Sequence, residues 1–387
     1  MARAFSVPPV LIFGSGASAQ VGEGCRELGV GRGLIVTDEV LLKLGVLDDI
    51  KQALKQAKIQ FAIYSGVFTE PTVDFVQEGL KSYRENGCDF LLAVGGGSAI
   101  DTAKAIAIMV TNTGAIEDYQ GANRIKEKGA LLIAIPTTAG TGSEVTQFTI
   151  ITDTKRDIKM LIASPFLIPH KAIVDPLLTL SMPRGLTAAT GIDALTHAVE
   201  AYVSVKAQPM SNLFALSAIE LISGSLRQAW SNGNNREARE KTMLGALQAG
   251  IAFSNSSVAL VHGMSRPIGA YFHIAHGVSN AALLSVVTEF SLIGNPERYA
   301  RIAQAMGENI ESLTVLEAAG LAAESITGLV EDIEIPSLPE LGVDKEKLDK
   351  LAPQMAEDAI ASGSPANNPR QATKEEIIEL YKLAYGQ

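Results

Sequence analysis

Short apolar runs alternate with helical patterns through the first half of the chain. Five runs are typical of buried strands, at residues 10–13, 33–36, 61–64, 90–94 and 131–135. Between them, apolar residues recur at helical spacing, as in residues 41–57 and 73–86. This alternation predicts a parallel sheet with flanking helices, and ligands of such sheets bind at the carboxyl ends of the strands.

The pattern changes near Pro183, where strand-like runs give way to long helical ones. Helices are predicted at residues 185–203, 210–229, 236–255, 278–292, 296–306, 313–333, 345–361 and 374–385. We therefore expect an α/β domain over residues 1–183 and an all-α domain over residues 184–387. The active site is expected in the cleft between the two domains, where ligand sites commonly form.

Composition and charge exclude several classes of protein. The chain has 47% hydrophobic and 19% charged residues, which favours folded cores over disorder. Its net charge is −10 and aromatic residues make up 5%, so we expect no nucleic-acid partner. A run of about 18 apolar residues is absent, so no membrane partner is expected. Cys25 and Cys88 form no CxxC pair and the first residues resemble no signal peptide, so a cytoplasmic protein is expected.

A glycine turn joins the fourth predicted strand to the next helix. Residues 90–94 lead into Gly95, Gly96, Gly97 and Ser98, and a helical pattern follows. Glycines let backbone N–H groups approach an anion, the start of a helix carries partial positive charge, and Ser98 can cap or donate. The turn is therefore predicted to bind a pyrophosphate. A plain strand-to-helix turn is the alternative, because the GxGxxG fingerprint is absent.

Two further strand ends carry groups that suit a dinucleotide. The strand at residues 131–135 leads into a loop rich in glycine and hydroxyl groups, in which Thr137, Thr138 and Thr141 offer donors to a cofactor. Asp38 follows the second strand, where its carboxylate can accept from both ribose hydroxyls of an adenosine. A helix N-cap explains Asp38 equally well, and both interpretations stay open.

Acidic and imidazole side chains cluster in the helical half. Asp193 and His197 are four residues apart on an apolar helix and share one face, and a buried Asp needs a partner. His262, His273 and His276 follow in an apolar segment that Pro267 and Gly269 are expected to break. One carboxylate with two or three imidazoles suits Fe²⁺ or Zn²⁺ with an open position. Hydrogen-bonded core histidines are the alternative.

Three of these segments together closely resemble the iron-containing (group III) alcohol dehydrogenases. The matching residues are 95–101, 136–144 and 191–202, and the resemblance extends over essentially the whole chain. It implies an α/β dinucleotide-binding domain followed by an all-α metal-binding domain, and a homodimer. By the resemblance, four residues would hold Fe²⁺, with Zn²⁺ possible: Asp193, His197, His262 and His276.

The resemblance also implies that the cofactor is NAD. Gly97, Ser98, Thr137 and Thr138 would hold it, with Lys159 as a weaker match. Asp38 stands where many members carry the acid that favours NAD over NADP.

The sequence departs from the family pattern beside the expected metal ligands. Arg266 stands where many members have a second histidine before a proline, and His273 stands where many have asparagine. We therefore predict His273 as the proton relay. A guanidinium in this apolar segment needs a partner, which is either a nearby acid or the carboxylate, sulfonate or phosphonate of a substrate.

The resemblance implies a metal-dependent, NAD(H)-linked oxidoreductase that interconverts a small primary alcohol or diol and its aldehyde. Reduction of a short anionic aldehyde, or a hydroxyacid–oxoacid transhydrogenase activity, is the alternative that Arg266 raises. A dehydroquinate synthase-like lyase and a non-enzymatic dinucleotide-binding scaffold are more remote alternatives. The former needs several Lys and Arg around a phosphorylated sugar acid, and the latter needs a damaged metal site.

Overall fold

The computed structural model describes residues 3–156 and 158–386, which form two compact units. One unit is Ser6–Ser181, and the other is Met182–Gln387 with Met1–Phe5. The observed division therefore falls two residues before the boundary expected after residue 183, and the N-terminal segment groups with the helical unit.

The first unit is built on a parallel sheet, as predicted. Its strands are β1 (Val10–Phe13), β2 (Arg32–Val36), β3 (Gln60–Tyr64), β4 (Phe90–Gly95), β5 (Gly121–Ala122), β6 (Leu131–Pro136), β7 (Phe148–Asp153), β8 (Ile158–Ala163) and β9 (Lys171–Val174). Six of them form one sheet in the order β1-β9-β6-β4-β2-β3, and all its pairs are parallel. Gly95 pairs with Pro136, so the turns after β4 and β6 leave the sheet side by side.

Helices cover both faces of this sheet because its strands are apolar on both sides. They are α1 (Val21–Glu27), α2 (Glu39–Lys43), α3 (Asp48–Gln56), α4 (Val73–Glu85) and α5 (Gly97–Thr111). Along β2, Leu34 and Val36 belong to one core cluster, whereas Ile35 belongs to the other. Alternate residues of a strand point to opposite faces, so both faces bury apolar surface.

Two parts of the first unit differ from the sequence prediction. The helix expected over residues 41–57 is divided into α2 and α3, because Gly45 adopts a left-handed conformation (φ 71°) that ends the first helix. The strand β9 and the β7–β8 hairpin, which forms a second sheet with β5, were not predicted. In β9 the apolar run is only three residues long after Lys171, which is itself buried and paired with Glu27.

The second unit is helical, as predicted. Its helices are α6 (Arg184–Val203), α7 (Pro209–Ser231), α8 (Arg236–Ser256), α9 (Leu260–Phe272), α10 (His276–Ser291), α11 (Pro296–Ala305), α12 (Val315–Asp332), α13 (Lys345–Ala361) and α14 (Lys374–Tyr385). The helix α6 is buried on nearly all sides, since it packs against α7, α8 and α10. It therefore lies in the core of this unit.

The expected break at Pro267 and Gly269 is wrong. The helix α9 continues through both residues to Phe272. An interior proline removes one backbone hydrogen bond and crowds the preceding turn. Pro267 is buried, as are its neighbours Ser265 and Ile268, so apolar packing offsets this cost.

One segment, His276–Gly294, has the length and mean hydropathy (1.3) of a membrane-spanning helix. It includes α10, and about half of it (56%) is buried inside the protein. Core helices of soluble proteins have the same properties. The segment is therefore weak evidence for a membrane span.

Candidate active site

The glycine turn between β4 and α5 fits tightly against the threonine loop that follows β6. Gly96 is the N-cap of α5, and Gly97 is its first residue. A Cβ atom on Gly97 would lie 2.8 Å from Thr141 Cγ2, so only glycine allows the loop to come this close. The N-cap position has no side-chain cap, so Ser98 does not cap the helix and the first N–H groups of α5 are not satisfied by a side chain.

The threonine loop is also joined to the turn through the backbone. The N–H of Thr137 donates to the carbonyl of Gly95 over 3.0 Å. A Cβ atom on Gly96 would lie 3.4 Å from Thr138 Cγ2. The structure thus brings together these predicted cofactor residues: Gly96, Gly97, Thr137, Thr138 and Thr141.

A buried polar network, which the sequence analysis did not identify, fixes this loop to α5. Lys104 Nζ donates to the carbonyl of Thr146 (3.0 Å) and to that of Phe148 (2.8 Å). Burial lowers the pKa of Lys104 to about 8 and raises the pKa of Glu144 to about 7. Asp101 accepts from the hydroxyl of Ser143. These contacts hold the loop against the glycine turn.

The two other predicted cofactor residues make different contacts. Asp38 caps α2, because its carboxylate accepts from the N–H of Leu41 over 2.8 Å. The N-cap interpretation is therefore observed, and a role in binding ribose stays a prediction. Lys159 lies on β8 and pairs with Glu70 at 2.6 Å. No described contact joins Lys159 to the glycine turn, so its cofactor role also stays a prediction.

Three of the four predicted metal ligands converge in the helical unit. The ligand atoms of Asp193, His262 and His276 all lie within 4.8 Å of one another. The Nε2 atoms of His262 and His276 lie 3.6 and 3.8 Å from Asp193 Oδ1. His197 lies beside them, with its Nδ1 3.9 Å from the same oxygen and its ring stacked on that of His262.

Three helices supply these side chains. Asp193 and His197 come from α6, and His262 comes from α9. His276 is the first residue of α10, which approaches α6 closely. A Cβ atom on Gly277 would lie 2.2 Å from the carbonyl oxygen of Ala189, so glycine is required where the two helices meet.

Glu200 is a buried acid that the sequence analysis missed. Its Oε2 lies 2.6 Å from His262 Nδ1, and its Oε1 accepts from the N–H of Val261 at 2.6 Å. This contact places the proton on Nδ1 and leaves Nε2 as the ligand atom. A signal was present, because Glu200 follows Asp193 by two helical turns and lies on the same face of an apolar helix.

Asn280 is a second residue that the sequence analysis missed. Its Nδ2 donates to Asp193 Oδ1 over 2.7 Å and lies 3.3 Å from Nε2 of both His262 and His276. Its Oδ1 is sealed from solvent and has no hydrogen-bond partner among the described residues. It follows His276 by one helical turn.

The electrostatics of this cluster favour a cation. Burial raises the pKa of Asp193, but the surrounding histidines more than reverse this effect, so the carboxylate is ionised. Desolvation of the His276 ring where its Nε2 meets the cluster lowers its pKa to about 3, so this imidazole is neutral and can donate a lone pair. One carboxylate and the imidazole nitrogens of three histidines form a donor set that fits a divalent transition metal.

Family models cover nearly the whole chain. The model for iron-containing alcohol dehydrogenase matches residues 8–176. The model for the C-terminal part of the Fe-containing alcohol dehydrogenase family matches residues 187–385. The chain belongs to the iron-containing alcohol dehydrogenase family. It is accordingly an oxidoreductase, and the lyase and scaffold alternatives have no support.

Individual relatives of this iron-containing alcohol dehydrogenase match it from end to end. It is 42% identical over 384 residues to 1,3-propanediol dehydrogenase of Citrobacter freundii, covering 98% of each chain. It is 39% identical to NAD-dependent methanol dehydrogenase of Bacillus methanolicus, covering 98% of this chain and 99% of the relative. The crystal structure of a 1,3-propanediol oxidoreductase superposes with a TM-score of 0.97 at 42% identity, over 99% of this chain and 100% of the other.

The two residues at which this alcohol dehydrogenase departs from the family pattern lie in the middle of α9 (Arg266) and directly after its last residue (His273). His273 is exposed and ends α9 in a left-handed conformation (φ 57°), and no described contact joins it to the ligand cluster. Arg266 Nη1 donates to the hydroxyl of Ser364 over 3.1 Å. Within residues 3–156 and 158–386 no carboxylate lies within 4.0 Å of this guanidinium, so Arg266 forms no salt bridge with an acid of these ranges.

Proposed function

We propose that the chain catalyses the reversible, NAD(H)-linked oxidation of a small primary alcohol or diol to its aldehyde. The convergence of Asp193, His262 and His276 in one cluster is the observation that carries this proposal. The names of the two relatives, which act on 1,3-propanediol and methanol, support the substrate class.

The proposed metal is Fe²⁺, with Zn²⁺ as the alternative, held by Asp193, His197, His262 and His276. When bound, such a metal supplies a Lewis acid that polarises the substrate oxygen. The residues around the metal would orient its ligands and exclude water. The Glu200 carboxylate orients His262, and burial of Asp193 and His262 keeps water from that side of the cluster.

The proposed cofactor is NAD(H), whose nicotinamide supplies the hydride acceptor or donor. The N–H groups at the start of α5 and the threonine hydroxyls would bind its pyrophosphate. The cofactor residues in this proposal are Asp38, Gly96, Gly97, Ser98, Thr137, Thr138, Thr141 and Lys159. Asp38 would exclude a 2′-phosphate by charge repulsion.

The proposal also includes the transfer of the substrate proton and the oligomeric state. His273 is exposed three residues before His276, and it would pass the substrate proton to solvent. The family resemblance implies a homodimer, and the proposed location is the cytoplasm. Light scattering at micromolar concentration tests the dimer, and a monomer alone would contradict it.

Metal removal tests the proposed function. We expect a chelator to abolish NADH formation from propane-1,3-diol, and Fe²⁺ or Zn²⁺ to restore it. His262→Ala should retain no metal, whereas the control His170→Gln should retain it, because His170 lies beside β6 in the other unit. Full activity in the metal-free protein would refute the proposal.

A further inference from the structure

Arg266 lies one helical turn after His262 on α9, so both side chains emerge from the same face of the helix. A guanidinium has five N–H donors. The bond to Ser364 uses one of them, and no further hydrogen bond of Arg266 exists within the described residues. The side chain of Arg266 is partly exposed, whereas those of its neighbours Ser265 and Pro267 are buried.

The charges around Arg266 leave its guanidinium available to bind an anion. Glu200 is the acid that acts on it electrostatically. However, both oxygens of Glu200 already accept short hydrogen bonds, from Val261 N–H and from the His262 ring. With a divalent cation bound, the carboxylates of Asp193 and Glu200 together with Arg266 leave one net positive charge. Such a site favours an anion.

Among its four side chains, the ligand cluster is most exposed at His276. The side chain of His276 is 42% exposed, whereas those of Asp193, His197 and His262 are 5%, 7% and 4% exposed. Arg266 follows His262 by one helical turn, and the His262 ring centroid lies 5.3 Å from that of His276. A molecule that reaches the cluster past His276 therefore enters the field of Arg266.

A packed loop fixes the direction of the guanidinium. Ser364 is buried and is followed by Pro365, which rests on α9. A Cβ atom on Gly263 would lie 2.7 Å from Pro365 Cγ, so glycine allows this close approach. Because Ser364 is held in this way, its hydroxyl restrains Arg266 before any ligand binds, which reduces the entropy lost on binding.

From these observations we infer that Arg266, restrained by Ser364, binds the anionic end of a short substrate whose oxygen end reaches the metal ligands. The planar guanidinium fork matches a carboxylate, sulfonate or phosphonate with two parallel hydrogen bonds. The preferred substrate is then an ω-hydroxy acid or semialdehyde, or its sulfonate or phosphonate counterpart. This inference rests on the proposed function and names its substrate class.

Matched aldehydes test the inference. The metal-loaded enzyme should reduce 4-oxobutanoate with a kcat/KM at least about tenfold higher than that for butanal. One charge-assisted hydrogen bond between Arg266 and the carboxylate is enough for a difference of this size. Arg266→Gln should lower kcat/KM for 4-oxobutanoate by about 30-fold to 900-fold and leave that for butanal within about threefold. The control Arg227→Gln, which removes an exposed ion pair with Asp332, should change neither.

Two further measurements keep the test decisive if Arg266→Gln folds poorly. Ser364→Ala retains the guanidinium but removes its restraint, so it should weaken only the anionic substrate. Calorimetry should detect binding of 4-hydroxybutanoate, and no binding of butan-1-ol at the same concentration, in the metal-loaded native protein. This binding should disappear in the Arg266 variant.

The outcomes distinguish this inference from the proposed function. Native enzyme that prefers neutral aldehydes at every chain length would overturn the anion subsite and leave the alcohol dehydrogenase function intact. An Arg266→Gln variant that loses both aldehydes alike, with normal metal content and unfolding temperature, would also overturn it. Absence of turnover of any aldehyde by the metal-loaded enzyme would contradict the proposed function itself.

Discussion

At the scale of single residues, the atoms that can bind a metal are those that other side chains do not already hold by hydrogen bonds. His262 can offer Nε2 to a metal because Glu200 binds its Nδ1. Asp193 is engaged by Asn280 on the same oxygen that faces the histidines. Single substitutions of these partners therefore separate a role in positioning from a role in catalysis.

Glu200→Gln should weaken metal binding by about 10-fold to 100-fold, as is common when an outer partner of a metal ligand is changed. Glutamine keeps an acceptor oxygen for Val261 N–H but loses the charge that favours the correct tautomer of His262. Metal competition with a chromogenic chelator measures this loss. Glu220→Gln, an exposed substitution on α7, is the control and should retain the metal. Unchanged metal affinity in Glu200→Gln would contradict the positioning role.

Asp38 has two functions that one pair of variants can separate. Asp38→Asn keeps an oxygen that can cap α2 but removes the charge, so the preference for NAD over NADP should fall by about 5-fold to 150-fold (~1–3 kcal/mol). Asp38→Gly should relax the preference similarly and also weaken the cap. Ratios of kcat/KM for the two cofactors measure the effect. A native enzyme that uses both cofactors equally would show that Asp38 acts only as a cap.

At the scale of elements, close contacts between the turn after β4 and the loop after β6 shape the predicted cofactor site. Gly97→Ala places a methyl group 2.8 Å from Thr141 Cγ2, so the loop must shift. Overpacking of this kind costs about 1–3 kcal/mol, and we expect KM for NAD to rise by about 5-fold to 150-fold. Gly320→Ala on α12 is the control, because no atom lies within 4 Å of its added methyl group.

The double variant Gly97→Ala/Thr141→Ser checks the cause of that effect. In the Gly97→Ala variant the new methyl group first meets Cγ2 of Thr141, and serine lacks this carbon. The double variant should therefore recover part of the lost affinity for NAD. Equal losses in the single and double variants would assign the effect to something other than this contact.

The threonine loop should make stability depend on pH through Glu144. Burial raises the pKa of Glu144 from 4.5 to about 7, so the folded state binds the proton more tightly than the unfolded state. Its destabilising effect is absent below pH 4.5, grows as the pH rises to 7, and is then constant. Glu144→Gln should therefore stabilise the α/β unit at pH 8 by up to about 3 kcal/mol and have little effect at pH 4.

Urea unfolding of the native chain and of Glu144→Gln at several pH values measures this difference. Glu23→Gln on α1 is the exposed control and should give no pH-dependent difference. A difference between Glu144→Gln and the native chain that is the same at pH 4 and pH 8 would show that Glu144 does not titrate in this range.

At the scale of the whole molecule, the chain comprises two compact units, and all four predicted metal ligands belong to the helical one. A ligand that binds only the folded state stabilises it by an amount that grows with ligand concentration, about 4 kcal/mol at a thousand times its dissociation constant. Calorimetry should therefore show two unfolding transitions, of which added Fe²⁺ or Zn²⁺ raises only one. His262→Ala should abolish that rise, and an equal rise of both transitions would contradict the assignment.

The sequence by itself determined the strands, helices and turns that are specified by residues close together in the chain. The confirmed parallel strands follow from short apolar runs and most helices from apolar residues at a period of 3.6. Their predicted ends lie within about three residues of the observed ones. The glycine turn after residue 94 was also evident, because its residues are contiguous. Asp193 and His197 could be paired from sequence since they lie one turn apart on a single helix.

Only the tertiary structure decided the contacts between distant segments. Glu200 meets His262 across 62 residues, and Arg266 meets Ser364 across 98. Such pairs depend on how helices pack, which no local periodicity encodes. The same reason explains the continuous helix through Pro267, because this residue is buried and α9 packs against α10 and α13. Packing thus determined which polar groups of the site are satisfied and which remain available to a ligand.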